Sequence, residues 1–257
     1  MKKYEDYDDD ELDMEEEAPK KKRGGFINRV LFFFAVIIVA VGTYVACIGY
    51  EMYSRAVTAV PVKDMAADIR SIDNYTSIED IPDIYPDAVV SVEDKRFYSH
   101  HGIDLRSIGR AIVVNIRELS LAEGGSTITQ QLAKNQYYTQ EKSFLRKAAE
   151  AFTAVKIESE LSKDDILELY INSIYYGDGC YGIYEASMHY FGVEPSEMSD
   201  YQCTLLAGIP NAPSVYAPTV NPGLAEERRI QVVDAMYNAE VISASERDSL
   251  LAASDHV

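Results

Sequence analysis

Residues 162–172 read SKDDILELYIN, and this stretch decides the fold class. Ser162 followed three residues later by Asp165 has the form of a capping box, which satisfies the unpaired amides where a helix begins. Beyond it, Ile166, Leu167 and Tyr170 are spaced to bury one helical face, which leaves Glu168 and Asn172 as structural polar groups. Gly177-Asp178-Gly179 then closes the segment in a turn. Working outward, the helical period recurs at Leu105, Ile108, Ile112, Ile116 and Leu119, and again at Leu145, Ala148, Phe152 and Val155. The stretch from Pro210 to Pro218 is irregular, and a last amphipathic helix is expected around Ala225 to Tyr237. Very few segments alternate as strands do. The expected fold class is therefore all-α, with an extended approach over Ala88–Val92.

Upstream of that domain, residues 51–87 read as a stalk punctuated by Pro61, Pro82 and Pro86. Before the stalk, Val30 to Ile48 (VLFFFAVIIVAVGTYVACI) carries no charge. At 1.5 Å per residue the run spans about 28 Å, close to the hydrocarbon thickness of a bilayer. It is longer than the apolar centre of a cleaved signal, so residues 26–50 are expected to form an uncleaved transmembrane helix. Lys20-Lys21-Lys22-Arg23 and Arg29 lie on its N-terminal flank. The positive-inside rule places residues 1–25 in the cytoplasm and everything after about residue 50 outside.

The net charge is −18, which argues against nucleic acid as partner because phosphate binding needs a basic footprint. Much of that charge sits in Glu5–Glu17, which has too little apolar surface to fold and reads as a disordered tail. Cys47 falls in the apolar run, and Cys180 and Cys203 lack metal-ligand spacing, so unpaired thiols are expected.

Four segments carry chemistry. Residues 93–102 (EDKRFYSHHG) set adjacent carboxylates beside aromatic and imidazole groups, which can hold a base in a partly dry pocket; alone, an acidic pair beside Lys-Arg is usually a solvated loop. Residues 124–135 (GGSTITQQLAKN) offer Ser126 as N-cap, with Ser126, Gln130 and Lys134 forming a polar stripe suited to a phosphate. An exposed polar face would look the same. Residues 142–150 (KSFLRKAAE) stack Lys142, Arg146 and Glu150 on one stripe, either a plain intrahelical salt bridge or an anion clamp with a carboxylate beside it. The fourth is the core helix at 163–172.

Together with AGIPNAPSVYAP (207–218) and the Arg228-Arg229 helix, these collinear segments resemble the glycosyltransferase domain of penicillin-binding proteins and monofunctional peptidoglycan glycosyltransferases (glycosyltransferase family 51) over about residues 80–240. The departures are small: Ile171 stands for a usual Leu, Cys180 occupies a variable turn position, and Lys142 stands where some relatives carry Arg.

The resemblance implies a lysozyme-like, two-lobed helical domain at 88–240, with residues 241–257 as a tail. The helix Leu105–Leu119 and the loop Ser120–Glu123 would form the small lobe that dips into the membrane. The implied substrate is lipid II, added to a growing glycan strand with release of undecaprenyl diphosphate. Glu93 would remove the proton of the acceptor's 4-hydroxyl, and Glu150 would place a cation or a basic neighbour. Lys134, Lys142, Arg146 and Lys147 would face the departing pyrophosphate. Ser126 and Gln130 would hold sugar or phosphate oxygens, and Asp94, Phe97, His100, Thr127, Gln131 and Asn135 complete the implied substrate-binding set. A divalent cation (Mg²⁺ or Mn²⁺) could share the pyrophosphate, and other cell-wall assembly proteins are candidate partners. No serine has a lysine three positions on, so a transpeptidase function is not expected. The rivals are a lysozyme-like lytic enzyme using Glu93 as acid, and a non-catalytic assembly scaffold.

Overall fold

The computed structural model describes residues 24–118, 125–139 and 143–254. The chain forms two compact units, residues 1–43 and 44–257. The first contains most of the apolar helix α1 (Gly24–Ala59), whose stretch Ile27–Ala59 is long and apolar enough to cross a membrane. Its Phe32, Phe33 and Ile38 are exposed, as lipid-facing side chains would be.

The second unit is helical, as expected. Its elements are α2 (Val62–Arg70), α3 (Ile84–Glu93), α4 (Leu105–Glu118), α5 (Ile128–Tyr137), α6 (Phe144–Glu160) and α7 (Lys163–Ser173). A short hairpin, β1 (Tyr175–Gly177) and β2 (Cys180–Tyr181), follows. Then come α8 (Ile183–Phe191), α9 (Asp200–Gly208), α10 (Pro213–Tyr216), α11 (Pro222–Asn238) and α12 (Ala244–Ala252). The Ser162–Asp165 capping box opens α7, and Ile166, Leu167, Tyr170 and Ile171 are fully buried. Two groups of helices pack around this centre. In one, α5 lies against α6 and α7; in the other, α3, α9 and α11 lie against one another. Cys180 and Cys203 are buried unpaired thiols.

Four expectations about local structure give way. The stalk is part of the domain: Val62, Met65, Ala66 and Ile69 of α2 are buried in the core. Their i, i+3, i+4, i+7 spacing is a helical stripe, bracketed by prolines that lie outside the helix. Residues 88–92 are not extended but belong to α3, with Pro86 in the first turn, where the missing amide has no partner to lose. The expected tail from residue 241 is structured as far as it is described, because α12 opens on a Ser243–Glu246 capping box and buries Leu250, while residues 255–257 lie outside the described residues. Lastly, the cap of α5 is Thr127, not Ser126, so Ser126 precedes the helix rather than sharing a stripe with Lys134.

Arg229 joins α12 to the core. It is wholly buried, pairs with Glu226 at 2.7 Å, donates to Leu250 O at 2.8 Å and lies 4.4 Å from the Tyr201 ring centre. Arg229→Ala would leave that carbonyl without a partner and Glu226 with only the Tyr201 hydroxyl, 3.0 Å from its Oε2. The expected loss is about 3 kcal/mol, the low end for removing one member of a buried pair, because Glu226 keeps some solvent. Chemical denaturation reads this directly; a midpoint equal to the parent's would show that α12 is held by other contacts.

Candidate active site

Glu93 is the last residue of α3, its side chain only 7% exposed. Its Oε2 accepts a 2.7 Å hydrogen bond from Gln131 Nε2, which fixes the carboxylate against α5. Its Oε1 is buried without a hydrogen-bond partner, with Arg228 Nη2 3.7 Å away. Burial raises the proton affinity of Glu93 above the ordinary 4.5; the Gln131 bond and the charges of Arg228 and Lys134 oppose this, and Asp94 adds to it. A carboxylate with one oxygen pinned and the other unpartnered in a dry setting is arranged to take a proton.

Glu93 opens onto a cleft of about 430 Å³, bordered also by Ser126, Lys134, Lys147, Glu150 and Arg228. Glu150 sits at 1% exposure with Lys147 Nζ 2.8 Å from Oε2. Arg146 Nε lies 2.8 Å from Oε1, close enough for an ion pair but not aligned as a hydrogen bond. Glu150 is thus held between two cations, unlike Glu93 with its unpartnered oxygen. Lys147 Nζ also donates to Ser126 Oγ at 2.5 Å, tying the turn before α5 to α6. Arg146 stands behind Glu150 and donates to Thr139 O at 2.9 Å. Lys134 holds its proton less tightly than the ordinary 10.5: burial is the main cause, Lys147 and Arg146 add to it, and Glu150 and Glu93 oppose it. In a chain of net charge −18, this cleft sets, among the described residues, five cations, Lys95, Arg110, Lys134, Lys147 and Arg228, beside four carboxylates. Its chemistry is that of an anion site beside a base.

The remaining expected contacts divide between the cleft border and the packing behind it. His100 Nε2 donates to Asp94 Oδ2 at 2.8 Å, and the same oxygen accepts from Ile128 N, the first amide of α5, at 3.1 Å. His100 and Phe97 are buried, with Lys163 Nζ 4.5 Å from the Phe97 ring centre. Phe97 and His100 therefore support the loop after Glu93 and do not border the cleft; Asp94 borders it while holding α5. Thr127 and Gln130 border the cleft but complete the capping box, and Thr127 Oγ1 donates to Gly102 O at 2.7 Å. Gly102 also lets this loop sit against α6, since its φ is +83° and a Cβ there would meet the Ala154 backbone at 2.8 Å. Asn135 is half-buried on α5 and lies off the cleft. Lys142 and the loop Ser120–Glu123 lie outside the described residues.

Sequence reasoning missed Arg228 as a site residue. Adjacent helix positions point about 100° apart, so Arg229 enters the core while Arg228 reaches Glu93. Arg228 is held by Gln231 Oε1 at 3.0 Å and by the Tyr216 ring, 5.7 Å away. The Arg-Arg pair was visible, but not which member faces the cleft.

Residues 62–237 match the family model described as Transglycosylase. The chain is 47% identical over 170 residues to penicillin-binding protein 1F of Bacillus subtilis, covering 66% of this chain and 24% of that protein. It is 45% identical over 177 residues to penicillin-binding protein 1A of Neisseria flavescens, covering 69% of this chain and 22% of that protein. The matched part thus spans about a quarter of these relatives. Penicillin-binding protein 1A from Haemophilus influenzae, a crystal structure, aligns at TM-score 0.41 and 23% identity over 70% of this chain and 17% of that one.

Proposed function

This chain belongs to the transglycosylase family, and from that premise we propose that it polymerises lipid II into glycan strands, releasing undecaprenyl diphosphate. The observation that carries the reading is the buried Glu93, with one unpartnered oxygen, facing a cleft that also holds the cations Lys95, Arg110, Lys134, Lys147 and Arg228. Glu93 takes the proton of the acceptor sugar's 4-hydroxyl as that oxygen attacks the donor's anomeric carbon. The C1–O bond to pyrophosphate breaks with inversion, and Lys134 and Lys147 offset the charge that collects on the departing oxygens. Glu150 keeps Lys147 and Arg146 in place. A lytic enzyme needs a carboxyl group but has no use for this cationic wall.

Among the described residues no group of three or more His, Cys, Asp or Glu could hold a metal ion. Glu150 is already ion-paired to Lys147 and Arg146. A divalent ion would therefore arrive on the pyrophosphate itself, and no step here is assigned to it.

Incubating the purified protein with lipid II tests the reading. Glycan polymer is expected, sized by gel after removal of the lipid; unchanged lipid II would overturn the proposal, and cleavage of preformed glycan would favour the lytic alternative.

In the membrane, α1 is proposed to span once with residues 1–25 cytoplasmic, on the strength of its basic N-terminal flank. The exposed Leu105 and Val113 of α4 are the apolar surface proposed to meet the lipid. Protease added to wall-stripped cells should digest the domain and spare the N-terminal segment. Protection of the domain would reverse the orientation. Other cell-wall assembly proteins remain the proposed partners of the acidic tail.

A further inference from the structure

Gly49 lies in α1 beyond its most apolar stretch and within the same compact unit as the cleft. A Cβ there would stand 2.5 Å from Ala148 Cβ and 3.1 Å from both Ala148 C and Ala149 N. No real side chain tolerates that first distance, so α1 meets α6 backbone to backbone at this point. Flanking contacts hold the same face: Tyr50 meets Phe152 edge-on at 5.6 Å, and Tyr53 lies 6.1 Å from the same ring. Ala148 and Ala149 are the two residues between Lys147 and Glu150. The helix turn that α1 touches is therefore the turn that carries the cationic wall. A helix-interior glycine is destabilising relative to alanine, so its presence here needs a compensating gain. Gly42 offers the contrast within the same helix, because a Cβ there meets nothing within 4 Å.

We propose that Gly49 is a positioning residue for glycosyl transfer: by letting α1 close onto Ala148 and Ala149, it sets how far Lys147 and Glu150 stand into the cleft. The inference rests on the polymerase reading. Gly49→Ala forces α6 or α1 to give way, moving the cation wall away from the position where the pyrophosphate charge develops. A misplacement on the order of 1 Å costs about 10²-fold in turnover.

The test uses the full chain in lipid vesicles. Gly49→Ala is expected to lower kcat about 10²-fold with little change in KM for lipid II. Ala148→Gly in the same chain removes the closest contact and should restore most of the loss, whereas Gly42→Ala should behave as the parent. A second readout is independent of turnover: inorganic pyrophosphate should raise the melting temperature of the parent and of the double variant, but not of Gly49→Ala. If the parent makes no polymer, the functional reading fails while the pyrophosphate series still decides the positioning claim. Parental kcat and parental pyrophosphate response in Gly49→Ala would overturn the inference. So would a lowered melting temperature that Ala148→Gly does not restore, because the contact would then serve only the fold.

Discussion

Glu93→Gln is expected to lower polymer formation by at least about 10²-fold, the low end for removing a general base. Gln keeps the shape and the contact with Gln131 but cannot take the acceptor's proton, so binding of a pyrophosphate mimic should change far less. The same burial that readies Glu93 opposes folding. A carboxyl whose proton affinity rises on folding destabilises the folded chain once pH exceeds its unfolded value, ordinarily 4.5, and most fully above the folded value. At neutral pH the variant should therefore melt at or above the parental temperature. Loss of activity without loss of stability separates chemistry from structure. In the parent, kcat/KM should rise with pH through a midpoint above 4.5 as Glu93 ionises. A variant that polymerises at near-parental rate would remove Glu93 as the base.

Lys134→Ala should be nearly as severe, with a loss of about 10²–10³-fold, as when one preorganised charge is taken from a developing anion. Lys134 feels both Glu93 and Glu150, so it bridges the base and the cationic wall. Its proton is held less tightly in the folded chain than in the unfolded one, so its charge opposes folding at neutral pH. Melting of the variant should stay close to the parent's. The parental alkaline limb of kcat/KM should fall below 10.5, as Lys134 loses its proton early. If Lys134→Ala instead unfolds the domain, Lys134 is a structural partner and the leaving group is held elsewhere.

Much of this site was legible in the sequence. Glu93, Lys134, Lys147 and Glu150 were named through the family resemblance that the collinear motifs carry, and all four border one cleft. The capping box at Ser162 and the turn at 177–179 were read from local chemistry, which needs only neighbours a few residues apart. The errors have local causes too. Three prolines hid the stripe of α2, and the valine-rich run Val89-Val90-Ser91-Val92 resembled a strand although it packs as helix. Ser126 and Thr127 are both good caps, and backbone geometry chose Thr127.

By itself, then, the sequence determined the helical class and the apolar helix α1, because hydrophobic period and run length are properties of short segments, and it pointed to the candidate base through the family resemblance of its motifs. Only the tertiary structure decided which partners those groups meet: Gln131 on one oxygen of Glu93, Arg228 rather than Arg229 near the other, and Glu150 closed off by its cations. It also sorted Phe97 and His100 into the support behind the cleft and set Gly49 against Ala148. Periodicity states which face of a helix is buried, but the neighbour on that face comes from distant parts of the chain. Close packing of whole helices selects that neighbour, and no spacing within a single helix records it.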